Sequence, residues 1–299
     1  MERKRYIHSS KINTVRQTVS AVMAAFAIFA SISLASCVKD ELYDTPHPDK
    51  GALVLDADGL PGGDGYMVDI DGQTFEMTGS TFAVPGLFEP GTHTLTVYNR
   101  PEGFSVEGLV ARVAPLEAAA RSTGGLIHPL PGYLHSGTRQ IEVMADDSLK
   151  VEMSVSQRVR DLRLELTVTE GDPERIASVK GTISGVAGAF DLAARKITGE
   201  PASTAVAFAR TGDKLTADAR LLGFIGETPV LTVEIRFTDG RTQTVEDESF
   251  ADAVKDFNKD MAEPLVLTGS LNTPTEAGMS ATIENWQPGN GGGEDVDIQ

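Results

Sequence analysis

Reactive side chains are scarce in this sequence, and one of them is unusually placed. Cys37 is the only thiol among 299 residues. It closes the run Leu34-Ala35-Ser36-Cys37, in which two small residues precede the sulfur. A single cysteine excludes an internal disulfide and a cysteine-built zinc site. What remains is its chemistry as a nucleophile. Four histidines follow it: His47, His93, His128 and His135. His47 and His128 each precede a proline, which places them in extended or loop backbone. His128 and His135 are close in a segment rich in glycine and proline, but no carboxylate or cysteine pattern completes a metal site there. Asp56-Ala57-Asp58-Gly59 has the opening of a calcium loop. The next ligand position falls on Leu60, and no closing glutamate has the required spacing. Asp58-Gly59 and Asp71-Gly72 therefore read as turns. The serine nucleophile elbow, the paired-histidine zinc motif, the phosphate loop and the dinucleotide glycine pattern are all missing. No pair among the many acids stands out for glycoside hydrolysis. The sequence reads as that of a non-enzyme with no cofactor and no metal.

The residues before Cys37 give its thiol a purpose. Arg3, Lys4, Arg5, Lys11 and Arg16 precede an apolar stretch from Val19 to Leu34, the layout of a secretory signal. A retained spanning helix is the competing reading. The end of the stretch favours the signal, because Leu34 to Cys37 resembles the lipobox of bacterial lipoproteins. That resemblance implies diacylglyceryl transfer to the Cys37 sulfur, cleavage before it, and acylation of the new amino group with fatty chains such as palmitate. Several chains together give stable anchoring, at about 0.8 kcal/mol per buried methylene. Lys39, Asp40 and Glu41 follow directly and resemble the charged export signal of Bacteroidetes surface lipoproteins. Surface exposure on the outer membrane is the implied location.

Charge sharpens the picture. The chain carries a net charge of −17, and loss of residues 1–36 takes it to −21. So acidic a body is a poor partner for a phosphate backbone, so no nucleic acid is expected.

The elements that must carry the rest are short strands. Leu162, Leu164, Leu166 and Val168 alternate with Arg163, Glu165 and Thr167, the pattern of a half-buried strand. Thr92 to Tyr98 opens after Pro90-Gly91, and Asp71-Gly72 joins Tyr66–Ile70 to Thr74–Met77 as a hairpin. Similar runs cover Ala52–Leu55, Arg139–Met144, Leu149–Ser156, Ile176–Ser184, Ala205–Arg210, Lys214–Leu222, Pro229–Thr238, Arg241–Val245, Leu265–Leu271 and Met279–Trp286. Two helices are expected, over 109–121 around Pro115 and over Ser249–Met261. Residues 122–138 read as a long loop, and Ser184 to Gly188 as a loop after a strand. Regular short strands with turn signals suggest sandwiches and a mainly β chain. The implied organisation is a signal peptide over 1–36, a lipidated N-terminus and tether over 37–50, β-sandwiches over 51–156 and 157–286, and a Gly-rich acidic tail over 287–299.

The order of features resembles the fimbrillin-type surface lipoproteins of Bacteroidales, in their fimbrial anchor and minor-subunit branch. The carrying pieces are Cys37 with Lys39-Asp40-Glu41, the Pro90 to Asn99 strand, Arg175 to Val179 leading to Ile183–Gly188, Phe257-Asn258, and Ile283 to Trp286 before Pro288-Gly289. The resemblance implies two tandem transthyretin-like sandwiches and a part in building adhesive fimbriae. A fimbrillin stalk subunit would be the partner, bound by strand addition, with a host or bacterial surface ligand beyond it. Stalk fimbrillins of this family are cut after an arginine near their first domain; here Lys39 and Lys50 but no arginine lie between Cys37 and Arg100. The competing class is a surface glycan-binding lipoprotein, which would need Tyr66, Tyr133 and Trp286 to meet.

Overall fold

A computed structural model describes residues 49–61, 65–116, 125–226, 228–275 and 280–289. Its strands are β1 (Ala52–Asp56), β2 (Tyr66–Ile70), β3 (Gln73–Glu76), β4 (Thr81–Ala83), β5 (Gly91–Asn99), β6 (Phe104–Glu107), β7 (Val110–Val113), β8 (Leu126–Ile127), β9 (His135–Val143), β10 (Ser148–Glu152) and β11 (Ser156–Gln157). Then follow β12 (Arg160–Glu170), β13 (Ile176–Asp191), β14 (Lys196–Thr211), β15 (Lys214–Leu221), β16 (Leu231–Phe237), β17 (Thr242–Asp247), helix α1 (Phe250–Val254), β18 (Leu265–Asn272) and β19 (Thr282–Pro288). The chain is mainly β, as its alternation predicts.

Two sheets face each other in the first half. One has the order β10-β1-β4, the other β11-β9-β5-β2-β3. Leu53 and Leu55 from β1 meet Val68, Ile70, Leu95, Val97, Ile141 and Val143 from the facing sheet in one core. The Asp71-Gly72 hairpin forms as expected, with both residues at positive φ, 50° and 89°. Mirror-image turns of this kind match the twist of the strands they join.

The second half is a larger sandwich. β17-β16-β13-β14 form one layer, and β15-β12-β18-β19 continue the sheet into the other. β14 makes the passage, pairing with β13 through Phe208 and with β15 from Ala209. Leu162, Leu164 and Leu166 of β12 are buried while Arg163 is exposed, as the alternation requires. Burying each such leucine contributes about 1.5–3 kcal/mol. A third cluster joins residues of both halves: Met67, Tyr98, Ala111, Leu134, Phe190 and Leu222.

Four sequence expectations are corrected. The helix expected over 109–121 is strand β7 at its start, paired with β6 and with the far end of β13. Val110-Ala-Arg-Val113 alternates with period two, and this outweighed the alanines that follow; residues 117–121 lie outside the described residues. The long loop over 122–138 contains β8 and the first four residues of β9. Ser184 to Gly188 is not a loop but the interior of β13, where two register shifts mark bulges. Gly185, at φ 72°, supplies the backbone that a bulge needs. The helix expected over Ser249–Met261 is broken into α1 and a 3₁₀ turn at Phe257–Lys259, although Phe250, Val254 and Phe257 are buried as the spacing predicts. A five-residue helix sustains itself by packing and not by propensity.

Candidate assembly site

Two places in the fold could take part in assembly: the slot that holds the first strand, and the open flank beside the last. β1 lies between β10, to which it is parallel, and β4, to which it is antiparallel. It is a central strand, and Leu53 and Leu55 are 1% and 0% exposed. Its start is fixed by backbone bonds. Gly51 and Phe88 exchange N–H···O bonds of 2.9 Å in both directions, and Ala52 N donates to Asp147 O. Gly51 is required here, since a Cβ would collide with Met144 O and the Val143 side chain.

A polar clasp lies at the same end. His93 Nδ1 is 2.6 Å from Asp71 Oδ2, and Nε2 is 2.7 Å from Glu89 O. Both partners are acceptors, so this geometry favours the ring with a proton on each nitrogen. The Glu89 carbonyl, then Asp71, raises the His93 pKa above its ordinary value. The Thr94 N–H, then His93, lowers that of Asp71. Lys50 Nζ pairs with Glu89 at 2.8 Å, which ties the residue before β1 to the same loop.

The second place is a cavity of about 620 Å³ between β18, β19 and α1. Phe257, Leu265, Leu267 and Trp286 line it with apolar surface, and Lys255, Lys259, Asp252 and Asp256 bring both signs of charge. β19 is the terminal strand of its sheet. Between Thr268 and Ser270 on β18 its register shifts, so Asn285 and Trp286 together face Gly269. Asn285 takes φ 61°, a conformation that asparagine tolerates better than most residues. This bulge explains the Ile283-Glu-Asn-Trp286 run. It turns the indole onto Gly269, where a Cβ would lie 3.1 Å from the ring. The indole N–H donates to Asp247, and its ring meets Phe250 edge-on at 6.1 Å. Arg160, 8% exposed, closes the other end. Its guanidinium donates to Glu263 O and Phe257 O and lies 5.3 Å from the Phe257 ring.

The three aromatic residues of the glycan-binding reading stay apart. Tyr66 is buried in the first core, its hydroxyl donates to Pro61 O, and burial pushes its pKa up to about 12. Trp286 packs against the second core. Tyr133 lies beneath Arg220, whose guanidinium is 3.8 Å from the ring centroid. Its hydroxyl donates to Asp161 Oδ2 at 2.6 Å, and Arg220 Nε donates to Asp161 Oδ1 at 2.8 Å. This cluster fastens the 129–133 segment to β12 and β15. Sequence reasoning missed it because its members are far apart in the chain.

His128 and His135 do not form a site. His128 Nδ1 accepts a bond from Leu130 N, and burial lowers the pKa of His135. Among the described residues no group of three potential ligands gathers for a metal. Cys37, Lys39, Asp40 and Glu41 lie outside the described residues. Among the described residues no helix is long and apolar enough to cross a membrane.

Comparison with known proteins fits this geometry. The structure is similar to that of a candidate adhesin from Bacteroides ovatus, with a TM-score of 0.56 and 14% identity over 84% of this chain and 98% of that one. It is also similar to the fimbrial anchor protein Mfa2 from Porphyromonas gingivalis, with a TM-score of 0.56 and 10% identity over 80% of this chain and 96% of that one. At these identities the likeness establishes the fold. No curated protein matches the chain in sequence. The family profile of the fimbrillin-A associated anchor proteins Mfa1 and Mfa2 matches residues 88–290, and the chain belongs to that family. The family is one of fimbrillin-associated anchor proteins, which gives this chain a fimbria-associated role.

Proposed function

We propose that this chain is a lipid-anchored base or accessory subunit of an adhesive fimbria, held on the outer face of the outer membrane through Cys37. The observation that carries the reading is the state of β1. In a subunit that polymerises by strand exchange, the slot between β10 and β4 would be vacated by cleavage and refilled by another chain. Here β1 fills the slot with its own buried leucines, and no arginine lies between Cys37 and Arg100 to permit the cut. An uncut N-terminus keeps the acyl chains attached to the fold. Lys39, Asp40 and Glu41 direct export, and residues 37–50 serve as the tether. The two sandwiches act as domains meeting near Gln157.

The fimbrillin partner docks at the cavity beside β19, where an extended segment would find apolar surface flanked by charges. Strand addition of this kind draws affinity from main-chain bonds and register from alternate side chains. The separation of Tyr66, Tyr133 and Trp286 speaks against a glycan platform. The test is mild crosslinking of surface proteins followed by purification of this chain. Recovery of a fimbrial stalk subunit, lost when Cys37→Ser prevents anchoring, is the expected result. Recovery of no fimbrial protein from fimbriated cells would overturn the reading.

A further inference from the structure

An acidic protein has carboxylates to spare for its cations, and five of the described arginines use them. Arg163, Arg175, Arg210, Arg220 and Arg241 each hold an aspartate or glutamate. Of the described arginines outside these pairs, three gather in one place. Arg139 on β9, Arg158 between β11 and β12, and Arg195 at the tip of the β13–β14 hairpin line one pocket of about 110 Å³. Among the described residues, none of the three has a carboxylate at ion-pair distance. Thr138, Ser154 and Ser156 share the lining.

The pocket is built and not incidental. Arg158 Nε donates to Ser136 Oγ and Nη2 to Ser136 O, each at 2.8 Å, and the guanidinium lies 5.2 Å from the Phe190 ring. Arg139 Nη1 donates to Glu152 O at 3.2 Å. Thr138 Oγ1 donates to Leu192 O at 2.7 Å and holds the hairpin tip against β9. Burial, and then the charge of Arg195, lowers the Arg158 pKa. Neighbouring guanidinium groups with unused donors attract an oxyanion that can take several charge-assisted bonds at once.

We propose that Arg139, Arg158 and Arg195 form a binding site for a phosphate group, either free or carried as a monoester. A phosphate monoester brings two negative charges and three acceptor oxygens, which suits three guanidinium groups with hydroxyls beside them. A carboxylate brings one charge and two oxygens and would leave a cation unmatched. The site draws Arg139 from the first half and the other two from the second, so an occupant would join the two halves.

The test is the thermal midpoint of the full-length protein in detergent, read at matched ionic strength with inorganic phosphate, glycerol 3-phosphate, glucose 6-phosphate or chloride. Phosphate-bearing solutes should raise the midpoint over chloride by about 2–4 °C at saturation. In Arg195→Asn the apparent affinity should fall about tenfold, the loss of one charge-assisted bond. Arg195 sits exposed at φ 57°, which asparagine accepts, so this variant keeps its fold. Arg158→Gln should abolish the shift altogether. The largest response to glycerol 3-phosphate would assign a lipid headgroup as the source, the largest to glucose 6-phosphate a phosphorylated glycan, and equal responses the free ion. Absence of any rise over chloride, or the same rise in Arg195→Asn as in the parent, overturns the proposal.

Discussion

The two halves of the molecule solve the same packing problem differently. In the second, β12 is locked between β15 and β18, and β14 carries the chain from one layer to the other. Neither β12 nor β14 can leave without breaking the sheet. In the first, the strand that completes the core is also the first strand of the fold. β1 enters between β10 and β4 and contributes two fully buried leucines. Its place is secured at one end by Gly51, Lys50 and the His93 clasp. One half is therefore a continuous fabric and the other a frame closed by a removable slat.

The most severe way to test that contrast is to remove the slat. Deletion of residues 50–56 should abolish the earlier of two unfolding transitions in urea and leave the later one in place. A synthetic peptide covering the deleted segment should restore the lost transition; a single shared transition in both proteins would show that the halves do not differ in this way. Next in size are paired core truncations. Leu55→Ala and Leu166→Ala should each cost about 2–5 kcal/mol, the first in the earlier transition and the second in the later. Movement of both transitions by either variant would refute the division. Trp286→Ala should cost about 2 kcal/mol in the later transition only, since the indole is half-buried and its loss also takes the N–H donor from Asp247 Oδ2.

The smallest expected effect is on pH dependence. The His93 pKa is raised in the folded state, so its contribution is complete below the ordinary value near 6.5 and fades as pH rises through the folded value. The Asp71 pKa is lowered, so its contribution is present above the ordinary carboxylate range and fades as pH falls through the folded value. Unfolding followed from pH 5 to 9 should therefore weaken the earlier transition toward alkaline pH, and His93→Asn should flatten that slope. An unchanged slope in the variant would remove the clasp from the account.

Legibility in the sequence followed the range of the interactions. β12 was plain because Leu162 to Val168 state a face by alternation alone. The Asp71-Gly72 turn was plain because two adjacent residues decide it. Bulges were not, since Gly185 and Asn285 take their meaning from the partner strand. Residues 109–121 misled because apolar content resembling a helix followed a short β run. Trp286 was identified, but its hold on Gly269 and Asp247 was not. The Tyr133–Asp161–Arg220 cluster and the pocket of Arg139, Arg158 and Arg195 arise only when distant segments meet, and no local pattern announces them. Family resemblance reaches further than any of these motifs, because it rests on the order of features along most of the mature chain, and the family profile covers residues 88–290 of it.

The parallel pairing of β1 with β10 has a mechanical side. Under the proposed anchoring, a tether that ends just before Gly51 would deliver tension along the axis of β1. A pull along that axis loads the hydrogen bonds to β10 and β4 in shear, all at the same time, whereas a strand pulled away sideways would lose them one by one. A subunit seated this way would resist a steady drag from a growing fibre through many weak bonds acting together, with the bonds between Gly51 and Phe88 the first to feel it.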